Sequence, residues 1–313
     1  MSHQFAIQIK ERARELGFAA CGIAAAAPPQ PTFDLEKWLS SGFHAGMDWM
    51  KRPESIAKRA DIREVFPGAQ SVIVLALNYR TDAPFDEEKH GKIARYARGL
   101  DYHDIFKARG NELLSWIQSQ QPCAGRMYSD SAPILEHAWA QRAGIGWVGK
   151  NTLVMSRELG SYFLLGELVL DIELPPDAPY VQSFCGTCTA CLDACPTDAF
   201  SAPRVLDANK CISYHTIENR EVAPIELREN FQDNVFGCDI CQQVCPWNRK
   251  NEAKVSAEPQ LWTRDLPGIE EWTNIPQEEF SARLKGSPIK RAKRRGMRRN
   301  AARALKNRKS HKK

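Results

Sequence analysis

Eight of the chain's ten cysteines fall between Cys185 and Cys245, and their spacing limits what that stretch can fold into. Cys185, Cys188, Cys191 and Cys195, followed by Pro196, read C-x2-C-x2-C-x3-C-P. Cys238, Cys241 and Cys245, followed by Pro246, read C-x2-C-x3-C-P, with Cys211 upstream and 26 residues between Cys211 and Cys238. Many disulfides suit a small secreted domain, but this chain has 313 residues, and Met1 to Lys10 lacks the charged-then-apolar pattern of a signal peptide. Short spacers let a tight loop aim several sulfurs at one metal centre, and a proline after the last cysteine turns the chain away. Residues 184–248 are therefore expected to be mostly loops, organised by metal rather than by a hydrophobic core.

The first run is the bacterial ferredoxin signature, in which three thiolates bind one 4Fe–4S cubane and the fourth ligates the other cluster. That crossing assigns Cys185, Cys188, Cys191 and Cys245 to one cluster, and Cys195, Cys211, Cys238 and Cys241 to the second. The alternative is a pair of zinc sites, each closed by four thiolates. Zinc sites usually pair two C-x2-C knuckles, whereas here three cysteines at x2-x2 precede a C-P. Cys21 and Cys123 lie outside this region in mildly apolar stretches and read as small buried hydrophobes.

At roughly 150 residues per domain, the length suggests about two domains. Ala6 to Leu16 has helical spacing, Phe18 to Ala24 reads as a buried strand, and Phe33 to Met50 as an amphipathic helix. Ser71 to Leu77 (SVIVLAL) is the clearest strand; Asp101 to Ser119 and Pro133 to Arg142 read as helices, and Tyr162 to Leu174 as a long buried strand. This mixture makes the first 175 residues an α/β or α+β domain. Pro175, Pro176 and Pro179 form a linker to the cysteine module at 176–250. A helical, basic segment at 251–313 follows, with a thin apolar stripe of Ile289, Ala292, Met297, Ala301, Ala304 and Leu305.

Charge is uneven along the chain. Residues 285–313 hold 14 Lys and Arg and no acid, leaving 29 basic against 38 acidic residues before them, a net of −9. A basic end on an acidic body suggests a polyanionic partner, or else a solvated tail that aids solubility. No apolar run approaches the ~18 residues of a membrane-spanning helix, so a cytoplasmic protein without membrane contact is expected.

Three further blocks narrow the reading: Arg95-Tyr96-Ala97-Arg98-Gly99 with Asp101-Tyr102-His103, Tyr128-Ser129-Asp130-Ser131-Ala132-Pro133, and Gly146-Trp147-Val148-Gly149-Lys150-Asn151. With the cysteine pattern and Gly286-Ser287-Pro288-Ile289-Lys290-Arg291-Ala292, they resemble the epoxyqueuosine reductases over about residues 5 to 307. The resemblance implies an α+β fold: a cobalamin-binding domain of α/β type, similar to the reductive dehalogenases, then a two-cluster ferredoxin-like domain and a short basic helical C-terminus. It implies cobalamin, resting as cob(II)alamin, beside two 4Fe–4S clusters, and the reduction of an epoxide on a modified tRNA wobble base to an alkene. A monomer served by an external electron donor is expected. Some family members carry a longer C-terminal helical-repeat region, and tRNA contacts made by such repeats are expected to be missing here or reduced to the basic tail.

In the same way Asp130 matches the family's proton donor, a carboxyl that needs a poorly solvated pocket to act near neutral pH. Its plainer role is to cap the helix near Pro133, which Ser131 could do instead. Tyr96, His103, Lys150, Asn151, Ser213 and Asp239 are candidates, with Asp130, for the cobalamin pocket. The corrinoid pattern D-x-H-x-x-G is half met at Asp101 to Phe106, where phenylalanine replaces glycine. That favours a pocket or capping role for His103 over cobalt ligation. Arg220 and the cluster Lys290, Arg291, Lys293, Arg294, Arg295, Arg298 and Arg299 are candidate tRNA contacts. The competing readings are a small-molecule reductive dehalogenase, an electron-transfer protein and an RNA-binding protein with structural clusters.

Overall fold

The computed structural model describes residues 2–28, 34–249 and 254–310. Its first half is built on an antiparallel sheet of four strands, β1 (Ala20–Ala25), β2 (Ser71–Asn78), β3 (Gly125–Tyr128) and β4 (Phe163–Leu170), in the spatial order β1-β2-β4-β3. Every pairing is antiparallel, which decides for α+β over α/β.

All eight residues of β2 are buried because both faces of the sheet are covered. Alternation along the strand sends Ile73, Leu75 and Leu77 to one face and Val72, Val74 and Ala76 to the other. The first face packs on helices α1 (His3–Glu15) and α2 (Tyr102–Gln120) through Ile9, Ala13, Phe106 and Leu113. Gly166 in β4 belongs to that face, and a Cβ there would lie 2.7 Å from the Phe106 ring. The second face packs on the short helix α3 (Glu136–Arg142) through Trp139 and Ala140. Burial of each large apolar side chain contributes about 1.5–3 kcal/mol.

Several expected boundaries move. The helix expected over 33–50 is a single short one, Leu35–Ser40, and a 3-10 turn at Asp48–Lys51 follows. Gly42, at φ +71°, ends it by reversing the chain. The helix expected from Pro133 begins at Glu136, after a turn in which Asp130 itself has φ +53°. The start of the first of these, Phe33, and the boundary expected at 250/251 lie outside the described residues.

The short helical turns of the cysteine module include Ala190–Asp193 and Ile240–Gln243, which hold Cys191 and Cys241, and its own apolar cluster is Ile212, Ala223 and Phe231. A third core joins distant parts of the chain. Ile93, Val235, Phe236, Trp272 and Phe280 pack against the C-terminal helix α4 (Lys293–Ser310) and the turn before it. The stripe of Ile289, Ala292, Met297, Ala301 and Ala304 is no more than 3% exposed. The solvated-tail alternative therefore fails: these residues are a packed face, and arginines stitch the helix down. Among the described residues no helix is long and apolar enough to cross a membrane.

Candidate active site and cluster-binding module

The eight spaced cysteines are all free. Burial raises the thiol of Cys191, and the sulfurs whose charge adds to that rise are those of Cys245, Cys185 and Cys188. Burial likewise pushes Cys238 up to about 12, helped by Cys211 and Cys195. Cys241 is raised by burial, then by Cys238 and Cys211, with a smaller effect from Cys191. The charges that act on one another are thus those of Cys185, Cys188, Cys191 and Cys245, and those of Cys195, Cys211, Cys238 and Cys241, with Cys191 also acting on Cys241.

Backbone amides already point at these sulfurs. The N–H of Ala199 donates to Cys195 Sγ at 3.4 Å, and amides of Ser213 and Tyr214 favour thiolate at Cys211. Such N–H donors stabilise thiolate charge and tune cluster potential. Among the described residues no three His, Cys, Asp or Glu groups converge tightly enough to hold a single metal ion. Each group supplies four thiol donors, the number a 4Fe–4S cluster takes.

All four thiols of the second group line a cleft of about 400 Å³ between the module and the sheet domain. A second cavity of about 400 Å³ adjoins it and shares Asp130, Glu136, His137 and Thr152. Asp130 therefore stands where the two spaces meet. It sits in the turn after β3, and Tyr102 of α2 donates its hydroxyl to Asp130 Oδ2 at 2.5 Å. Burial first, then the Asp130 charge, raises the Tyr102 phenol well above its ordinary range and keeps it protonated. The Asp130 side chain does not cap α3, whose first turn has no side-chain cap.

The other candidates divide. Tyr96, Asn151, Ser213 and Asp239 line the cleft. Asn151 is 4% exposed, and among the described residues its Nδ2 has no hydrogen-bond partner, leaving a buried donor open to an acceptor from a bound group. Asp239 accepts the Arg95 amide at 2.8 Å, and burial raises its carboxyl. Lys150 and His103 are not among the cleft-lining residues. Lys150 Nζ is held by the carbonyls of Gly186 and Cys188 at 2.8 and 2.9 Å, bracing the first cysteine loop. The His103 ring is paired with Asp101 at 2.7 Å; burial alone would lower its pKa, but the Asp101 hydrogen bond and charge outweigh that and raise it.

The basic candidates divide as well. Arg291 makes a two-pronged pair with Glu218 at 2.7 and 2.8 Å. Arg299 donates to the carbonyls of His215, Asn219 and Glu221, while Arg294 and Arg298 bond those of Ile275 and Thr273. Arg220 reaches the Arg291 carbonyl at 2.9 Å. Lys290, Lys293 and Arg295 are exposed. Three site residues were not singled out from the sequence. Tyr102 stood in a quoted block without a role. Glu136 and Glu167 gave one signal, an acid inside the apolar run of β4.

Comparison with known proteins follows this geometry. Residues 184–248 match the family profile described as 4Fe-4S double cluster binding domain, and 59–131 the one described as epoxyqueuosine reductase QueG, DUF1730. An epoxyqueuosine reductase of Leadbetterella byssophila is 42% identical over 297 residues, covering 94% of this chain and 96% of its own. A crystal structure of an epoxyqueuosine reductase with an epoxyqueuosine-modified tRNA-Tyr stem loop superposes with a TM-score of 0.83 at 30% identity, covering 97% of this chain and 81% of that one. The Bacillus subtilis epoxyqueuosine reductase with its catalytic aspartate loop swung out of the active site gives a TM-score of 0.84 at 29% identity, with the same coverage.

Proposed function

The chain belongs to the epoxyqueuosine reductase family, and from that premise we propose that it reduces epoxyqueuosine to queuosine at the wobble position of tRNA anticodons. The reaction consumes two electrons and two protons, releases the epoxide oxygen as water and leaves an alkene. The observation that carries this reading is the convergence on one cleft of Asp130 and the four thiols of the second cysteine group. Electrons and protons must reach the same substrate atoms, and here Asp130 and the thiols that would hold the inner cluster line one cleft.

Cys185, Cys188, Cys191 and Cys245 would hold the outer 4Fe–4S cluster, and Cys195, Cys211, Cys238 and Cys241 the one at the cleft. The cleft residues also fit cobalamin: Asn151 offers an unpaired buried donor to a carboxamide-rich ligand, with Tyr96, Ser213 and Asp239 around it. Bound cobalamin supplies the strong nucleophilic reductant that no side chain can provide. The charge of Cys191 is felt at Cys241, so the two ligand sets would hold their clusters as neighbours, and the clusters would supply electrons to the cleft. Lys150 and His103 act indirectly, the first by fixing the Cys185–Cys188 loop, the second by anchoring the start of α2 beside Tyr102.

Asp130 protonates the departing oxygen, and the Tyr102 hydroxyl orients its carboxyl and steadies the carboxylate left behind. The target base must leave the anticodon stack to reach this cleft. Lys290, Lys293 and Arg295 are the phosphate contacts we favour, while Arg220, Arg291, Arg294, Arg298 and Arg299 shape the surface that presents them. A cytoplasmic monomer with a cob(II)alamin resting state and an external electron donor completes the reading. Asp130→Asn tests it: turnover of a modified stem loop should fall by at least about 100-fold while iron and cobalamin contents stay unchanged. Undiminished turnover would remove Asp130 as the acid, and loaded wild-type protein that leaves the epoxide intact would point to an electron-transfer protein instead.

A further inference from the structure

Beneath Asp130 lie two acids that the chemistry above does not use. Glu167 is in β4 and is 0% exposed. By strand alternation its side chain points to the sheet face covered by α3. Among the described residues no N–H or O–H reaches either of its carboxyl oxygens. The group within hydrogen-bonding reach is the carboxyl of Glu136, the first residue of α3. Two carboxyl groups can bond only if one of them carries a proton. The other side of Glu136 is occupied: its Oε1 accepts the backbone N–H of Asp130 at 2.6 Å. That bond fixes a turn whose central residue, Asp130, has φ +53°, a conformation costly for a residue with a side chain.

We propose that Glu136 and Glu167 share one proton and latch the Asp130 turn inward: the Glu167 hydroxyl donates to Glu136, whose carboxylate grips the Asp130 amide and sets the acid facing the cleft. Glu136 and Glu167 are positioning residues, and the assignment rests on the reading of Asp130 as proton donor. A turn held by one such bond has a natural alternative state. The Bacillus subtilis relative with its catalytic aspartate loop swung out supports a loop with two positions. The charged group facing both acids is Asp130. Burial, then the Asp130 charge, raises the Glu136 carboxyl, and burial, then the Glu136 and Asp130 charges, raise that of Glu167 well above the usual carboxylate range. His137, next on α3, is lowered by desolvation against the cleft walls, with Asp130 opposing. Because both acids are raised, the pair keeps its shared proton at neutral pH and gives it up only in alkaline solution. Two carboxylates then repel, and the latch loosens.

Amide hydrogen exchange of residues 129–135 in the full, cluster-loaded protein reads the latch without reference to turnover. Glu136→Ala should speed exchange there about tenfold while β2 stays unchanged, and should lower kcat by about tenfold with KM for a modified stem loop held within about twofold. Glu136→Gln keeps an acceptor for the amide and should exchange slowly. Wild-type protein should show extra loosening of 129–135 in alkaline solution, and Glu167→Gln, which bonds Glu136 without titrating, should not. Exchange in Glu136→Ala as slow as in wild type overturns the latch, and identical pH profiles for wild type and Glu167→Gln overturn the shared proton. Asp130→Asn retains the amide and should keep slow exchange while losing turnover, so an active Asp130→Asn protein would sink the donor reading and leave these exchange results standing.

Discussion

The sheet domain and the cysteine module are ordered by opposite means. β2 and β4 run through the middle of the sheet with Ile73, Val74, Leu75, Leu168 and Val169 all at 0% exposure, so apolar burial on both faces suffices to hold them. The module has Ile212, Ala223 and Phe231 as its own buried cluster, and eight thiols among loops. One half is a hydrophobic solid that places Tyr102 and Asp130; the other is a metal-organised cap that brings sulfurs to the same cleft. The lesson is that the two halves of the chemistry depend on different conditions.

Removing iron should break the contrast most visibly. Chelation is expected to raise amide exchange in 184–248 toward unprotected rates while β2 and β4 remain protected, because binding energy in a metal module is folding energy. Equal loss in both regions would mean the sheet leans on the clusters. A smaller effect separates the C-terminal helix from both. Arg299→Ala leaves the carbonyls of His215, Asn219 and Glu221 without their donor, and should cost about 2 kcal/mol or more, measured by denaturant unfolding of the loaded protein. The smallest change is reserved for the exposed charges. Replacing Lys290, Lys293 and Arg295 together by alanine should leave stability within about 0.5 kcal/mol, yet flatten the salt dependence of tRNA binding by roughly two units of log–log slope.

How much of this was legible in the sequence follows the same division. Spacing in the chain gave the cysteine groups directly, since a ligand motif is local. SVIVLAL gave β2, because a run buried on both faces has no polar alternation to blur it. The floor of the active site was not legible in that way. Glu167 appeared only as an interruption of an apolar run, and that it meets Glu136 depends on which sheet face α3 covers. The arginines of α4 were legible only as charge: composition shows positive residues, and only the fold shows that Arg294, Arg298 and Arg299 bond main-chain carbonyls. Asp130 was found through its motif, while its positive φ and its bond from Tyr102 belong to the tertiary structure.

One measurement reaches the central claim most directly. Protein loaded anaerobically with iron, sulfide and cobalamin, then reduced, should be mixed with an epoxyqueuosine-bearing anticodon stem loop in a single turnover, and the nucleoside analysed by mass. The account predicts about eight irons and one cobalt per chain, and loss of one oxygen from the modified base in wild type but not in Asp130→Asn. An unaltered epoxide in fully loaded, reduced wild-type protein would contradict it.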